Sequence, residues 1–176
     1  LRVIVAGAPA RLAPGGILAV EHGFDQPGPV RAMFGDAGFL VDRAGDGEEA
    51  MARLEGGHYD LIISEPSNPW ITGVSDLFTE EHFRISKKRL RPSGLYVQWV
   101  QLYETEVALI ASIVGALAQV FPDYVIYIPN DKDILIVAGE PGTLARPLAD
   151  VFRMPGLEKE LRAVNLQAIG DLEMRR

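Results

Sequence analysis

Hydrophobic and polar positions fall into two periods that alternate along this chain. Leu61, Ile62 and Ile63 form a continuous apolar run, the pattern of a strand buried on both faces. Ser64-Glu65-Pro66 ends it, because Pro66 cannot donate to a sheet ladder and holds Glu65 extended. Val107, Ile110, Ile113, Val114, Leu117 and Val120 recur at helical spacing and predict an amphipathic helix over Thr105 to Val120. Between these two signals, Thr79 opens a helix that runs through Phe83, Ile85 and Leu90. Thr79-Glu80-Glu81-His82 is close to a capping box, with His82 where an acid or amide is expected. Pro92-Ser93-Gly94 is expected to stop this helix, with a strand following over Leu95 to Val100.

Upstream, the pattern predicts a weak helix over Arg2 to Leu12, a strand over Ile17 to Val20 and a helix from Pro27 and Pro29 to Gly38. A short strand at Phe39 to Val41 and a helix over Glu48 to Leu54 complete that part. Downstream, strands at Tyr124 to Ile128 and Ile134 to Val137 flank Pro129-Asn130-Asp131-Lys132-Asp133, a hairpin by turn chemistry. Weak helices follow near Leu144 to Phe152 and Leu157 to Val164, and the last dozen residues are expected to be loosely held. Alternating strands and helices predict an α/β fold: a mostly parallel sheet covered on both sides, with an antiparallel C-terminal hairpin. Residues 1–140 are read as one domain and 141–176 as a weakly helical tail.

Composition narrows the function classes. The 176 residues carry a net charge of −7, which argues against a nucleic-acid backbone as main partner. The basic run Lys87-Lys88-Arg89 with Arg91 reads as the solvated last turn of a helix, where cations oppose the dipole. There are no cysteines, so disulfides and thiolate metal sites are excluded, and His22, His58 and His82 lack metal-ligand spacing; no metal is expected. No apolar run reaches the roughly 20 residues that span a bilayer, so this segment is expected to be cytoplasmic rather than membrane-embedded. The chain begins at Leu1 rather than Met, which raises the expectation of a piece of a longer protein.

The candidate site lies where the apolar strand ends. Glu65 sits at the carboxyl end of that strand, on a loop stiffened by Pro66 and Pro69 and followed by Trp70. In open α/β sheets this edge is where ligands bind. The competing structural roles are ordinary ones. Glu65 is a candidate cap for the next helix, Trp70 and Trp99 are candidates for core packing, and Asp46-Gly47 is a common turn.

The text GDGEEAMARLEGGHYDLIISEPSNPW, then SDLFTEEHF, RLRPSGLYVQWVQLYE and VFPDYVIYIPNDKDILIVAG, covers residues 44 to 140 and resembles the spermidine synthase, or polyamine aminopropyltransferase, family. RLAPGGILAVEHGFDQPGPVRAMFGDAGF, within residues 1 to about 40, resembles instead the C-terminal end of release-factor glutamine methyltransferases, so residues 1–43 are expected to differ in origin. Both resemblances imply a Rossmann-like fold of the S-adenosylmethionine-dependent methyltransferase type. A third similarity, to response-regulator receivers, fails at the strand end, where Glu65 replaces the aspartate.

The first resemblance implies a reaction. An amine of a polyamine displaces methylthioadenosine from decarboxylated S-adenosylmethionine, and an acid at the strand end accepts its proton. Glu65 matches that acid, although the soluble enzymes carry Asp there, and Asn68 stands where they often have a second Asp. The resemblance puts Ser67, Asn68, Trp70, Gln98, Trp99 and Tyr103 on the polyamine side. Asp46, Gly47 and Pro66 fall on the nucleoside side. A glycine-rich turn after a first strand, usual in such folds, has no clear match here. Two alternatives therefore accompany aminopropyl transfer: methyl transfer from S-adenosylmethionine, and a non-catalytic α/β domain that packs on a partner or on a homodimer mate.

Overall fold

In a computed structural model the structure describes residues 18–20, 32, 59–66, 69, 74–144, 152–153, 157–163 and 165–175. The helices expected over 2–12 and 48–54 and the strand at 39–41 lie outside the described residues, as does the helix expected over 27–38 apart from Ala32, which is helical. Five strands form one sheet: β1 (Leu18–Val20), β2 (Tyr59–Ser64), β3 (Leu90–Gln101), β4 (Asp123–Tyr127) and β5 (Asp133–Gly139), in the order β1-β2-β3-β5-β4. The pairs β1–β2 and β2–β3 are parallel. β5 runs antiparallel to both β3 and β4. The mostly parallel sheet with an antiparallel C-terminal hairpin is therefore present, and the hairpin enters by its second strand.

β2 is buried at Ile63 and Ser64, which point to opposite faces, as its apolar run requires. One face carries Ile62, Tyr96, Val100, Ile134, Ile136 and Ala138, packed under helices α1 (Glu80–Arg89) and α2 (Val107–Val120). Phe83 of α1 and Leu117 of α2 are fully buried there. Tyr96 is the hub: its ring lies 5.4 Å from Phe121, stacked, and 5.7 Å from Phe83, edge-on. Such aromatic pairs add about 0.5–1.5 kcal/mol each beyond the area they bury.

Thr79 caps α1 as its spacing predicts, its hydroxyl accepting the His82 backbone N–H at 3.3 Å. The other end of α1 differs from expectation. The helix stops at Arg89, because Leu90 is already extended and pairs with Tyr59 of β2. Pro92 lies in a stretch where the β2–β3 register shifts, so its missing N–H costs the ladder nothing. Gly94 is required there, since a Cβ would come 2.8 Å from the Tyr59 carbonyl. The basic run is also more engaged than a solvated turn: Lys87 Nζ donates to the Val120 carbonyl at 2.9 Å, pairs with Glu140 at 2.7 Å and lies over the Phe121 ring. Lys87 thereby joins the C-terminal ends of both helices.

Helix α2 begins at Val107, with Ile113, Leu117 and Val120 buried. Val107, assigned to the same apolar face by periodicity, is 81% exposed in the first turn. The tail forms α3 (Leu157–Ala163) and α4 (Ile169–Glu173). Its end is tied down rather than loose. Asp171 accepts the Gln167 and Ala168 N–H groups at 2.7 and 2.9 Å, and the Arg175 carbonyl accepts the Ile128 N–H beside β4. No helix among the described residues is long and apolar enough to cross a membrane.

Candidate active site

Parallel strands carry their carboxyl ends to one edge of the sheet, and β5, being antiparallel, brings its amino end to the same edge. Glu65 follows β2 directly, Gln98 to Gln101 end β3, and Asp133 opens β5. Three segments far apart in sequence thus meet along one rim.

Glu65 is exposed at that rim and makes no hydrogen bond or ion pair among the described residues. Enough protein surrounds its carboxyl for desolvation to raise its pKa above the ordinary 4.5. Glu65 does not cap a described helix. Thr79 does that for α1, and the preceding 3-10 turn (Ser75–Phe78) starts from Val74. Pro66 and Pro69 are buried. Ser67, Asn68, Trp70, Asp46 and Gly47 lie outside the described residues.

Gln98 and Trp99 point to opposite faces of β3. Gln98 is fully buried on the helix-covered face. Its Oε1 accepts the Tyr96 hydroxyl at 2.7 Å, and its Nε2 donates to the carbonyls of Trp99 at 3.0 Å and Ser64 at 3.4 Å. The amide thereby fastens the end of β2 to the end of β3, one residue before Glu65. Trp99, half-buried, pairs in register with Leu135 on the other face. Tyr103 is 48% exposed in the loop after β3, where Glu104 adopts a left-handed φ of 56°. Such a conformation is uncommon outside glycine and clusters at functional edges.

Two rim residues escaped the sequence reading, which treated Asp133 as part of a turn and did not single out Gln101. Gln101 is 1% exposed, and neither its Oε1 nor its Nε2 has a hydrogen-bond partner. Asp133 lies directly opposite it in β5, with one carboxylate oxygen accepting Asn130 Nδ2 at 2.8 Å. The available signal was the alternation of β3 combined with the hairpin register. Among the described residues no cluster of His, Asp and Glu is suited to hold a metal ion. A small cavity of about 20 Å³, room for about one water, lies between Phe152, α3 and Leu166-Gln167 and includes none of the candidate residues.

A rim that joins parallel strand ends to an antiparallel hairpin has relatives among solved structures. Human methyltransferase-like protein 13, in complex with SAH, superposes with a TM-score of 0.53 at 19% identity, over 84% of this chain and 71% of that one. A spermidine synthase in complex with the transition-state analogue AdoDATO gives 0.51 at 14% identity, over 88% and 64%. These establish an α/β fold of the S-adenosylmethionine-dependent methyltransferase and spermidine synthase type. Short stretches match release factor glutamine methyltransferases: 51% identity over 41 residues in Xylella fastidiosa and 44% over 57 residues in Burkholderia pseudomallei. The chain spans only 15% and 20% of those proteins, and the matches take up 23% and 32% of this chain. The spermine/spermidine synthase domain model matches residues 30–131, more than half of the sequence and all of β2, β3, α1, α2 and β4, so this chain belongs to the spermine/spermidine synthase domain family.

Proposed function

We propose that this chain carries the acceptor side of an aminopropyltransferase, which moves an aminopropyl group from decarboxylated S-adenosylmethionine to a polyamine. The observation that carries this reading is the Glu65 carboxylate at the end of central strand β2, within a chain of the spermine/spermidine synthase domain family. An alkylammonium has no free electron pair. Glu65 takes its proton, the freed amine nitrogen attacks the aminopropyl carbon next to the sulfonium, and the carbon–nitrogen bond forms as the carbon–sulfur bond breaks. The bonding pair returns to sulfur, which leaves neutral as methylthioadenosine. Desolvation supports the role of base, because raising a carboxyl pKa toward the working pH makes it a better proton acceptor. Gln98 acts as a positioning residue, fixing the Ser64 carbonyl immediately before Glu65. Trp99 and Tyr103, with Ser67, Asn68 and Trp70, supply the apolar and polar walls for the alkyl chain, and Asp46, Gly47 and Pro66 take the nucleoside.

Methyl transfer from S-adenosylmethionine is the second reading, favoured by the short stretches shared with release factor glutamine methyltransferases. Calorimetric titration with methylthioadenosine and with S-adenosylmethionine separates the cases. The expected result is binding of methylthioadenosine, with transfer seen from the decarboxylated donor and not from S-adenosylmethionine. Methyl transfer would replace the first reading with the second, and no heat from either nucleoside at millimolar concentration would leave a non-catalytic interaction domain.

A further inference from the structure

The sheet ends at β4, which pairs with β5 on one side only among the described residues. Strand register shows which of its backbone groups face the open side. The Leu102 N–H donates to the Lys132 carbonyl at 2.6 Å. Backbone bonds alternate along an antiparallel pair, so Ile134, Ile136 and Ala138 of β5 bond to β3, and Leu135, Val137 and Gly139 bond to β4. Their partners Tyr127, Val125 and Asp123 therefore face inward. Tyr124 and Ile126 turn their N–H and C=O groups away from the sheet, with no partner among the described residues. A second observation agrees: the Ile128 N–H, two positions beyond Ile126, donates outward to the Arg175 carbonyl at 2.6 Å.

Natural sheets blunt an open edge with lysine, proline, a bulge or a very short strand. β4 reads Asp-Tyr-Val-Ile-Tyr and pairs with β5 without a register shift, and Tyr124 and Ile128 are exposed along it. The strand suits a second copy of itself. Laid antiparallel about a two-fold axis at Val125, Tyr124 of each copy meets Ile126 of the other. These are the two residues with outward groups, so every one of those groups gains a partner, and each aromatic side chain faces a β-branched one. The charges agree as well. Asp123 of one copy lies across from Tyr127 of the other, next to Ile128, where the Arg175 backbone is fastened. The acid at one end of the strand thus meets the cation at the other end. Pairing stops there, because the next position sets Ile128, whose N–H is taken, across from Pro122, which has none.

We propose that β4 is a self-association edge, through which two copies of this chain join β4 to β4 and merge their sheets into one. The inference is independent of the aminopropyl-acceptor reading, since it uses no residue of the Glu65 rim.

Sedimentation equilibrium of the whole chain tests it, over about 5–500 µM, the range suited to a short pairing. The wild-type chain should show a monomer–dimer equilibrium. Tyr124→Pro removes an outward N–H that β5 does not use. It should raise the dimer dissociation constant at least about tenfold, two backbone hydrogen bonds being lost per dimer, and leave the melting temperature of the dilute chain unchanged. Asp123→Arg and Arg175→Asp should each raise the constant about threefold or more, and the two together should restore it, because the swapped charges again face each other. That rescue does not depend on the proline variant folding. A wild-type chain that stays monomeric throughout, as it would if an unlike partner covered this edge, would overturn the proposal. So would a dimer that Tyr124→Pro leaves untouched, or a double charge reversal no tighter than the single ones.

Discussion

The two faces of β3 treat the same side chain in opposite ways. On the helix-covered face, Gln98 is fully buried and places every polar atom of its amide on Tyr96, Ser64 or Trp99. On the opposite face, Gln101 is buried to the same degree, yet neither amide atom is satisfied, with Asp133 across from it and Glu65 on the same rim. Burial alone therefore does not separate scaffold from site. The hydrogen-bond account does, because folding selects against unsatisfied buried polar groups unless another demand keeps them.

The largest effect that would break this contrast concerns Glu65. Glu65→Gln should lower transfer by about 10²- to 10⁴-fold, the usual contribution of a positioned base. The melting temperature should hold or rise slightly at neutral pH. The sign follows from the raised carboxyl pKa: the folded state disfavours the ionised form, so ionisation costs stability once the pH passes 4.5, and the neutral amide escapes that cost. A marked fall in melting temperature with activity intact would move Glu65 from site to scaffold.

A smaller effect sharpens the pair itself. Gln98→Leu should cost about 1–3 kcal/mol in urea unfolding, because it breaks the buried hydrogen bonds that the amide makes with the Tyr96 hydroxyl and the Trp99 and Ser64 carbonyls. Gln101→Leu should be neutral or stabilising, since it removes an amide that has no partner to lose. Equal losses in both variants would erase the distinction between the faces.

The smallest effect lies within the covered face. His82, packed against Phe83 and Tyr96 with Nε2 3.4 Å from Ser86 Oγ, has its pKa pushed below the ordinary 6.5 by desolvation. The unfolded chain then binds the proton more readily than the folded one. Stability is complete above pH 6.5 and declines as the pH falls below it. Thermal melts from pH 7.5 to 5 should show this decline, and His82→Gln should flatten it.

Local signals were legible wherever the chain itself carries them. The apolar run at Leu61 to Ile63, the Thr79 cap, the helical period of α2 and the Pro129–Asp133 turn each became the element they predicted, and Glu65 came out at a strand end as its proline neighbours require. The failures share one cause. Helix α1 ended early because Leu90 found a partner in Tyr59, 31 positions back. Val107 stayed in solvent although periodicity put it on the apolar face, because burial depends on what packs against that turn. The tail was fastened by a backbone bond from Ile128.

Periodicity, capping and turn chemistry act over a few residues, so the order of residues alone determined the α/β class, the hairpin and the acid at the end of β2. Which face each side chain of β3 took, and that Asp133 came to lie across from an unsatisfied Gln101 near Glu65, depended on strand register. Register is set by pairing between segments more than thirty residues apart, whose energetics exist only once the sheet has closed.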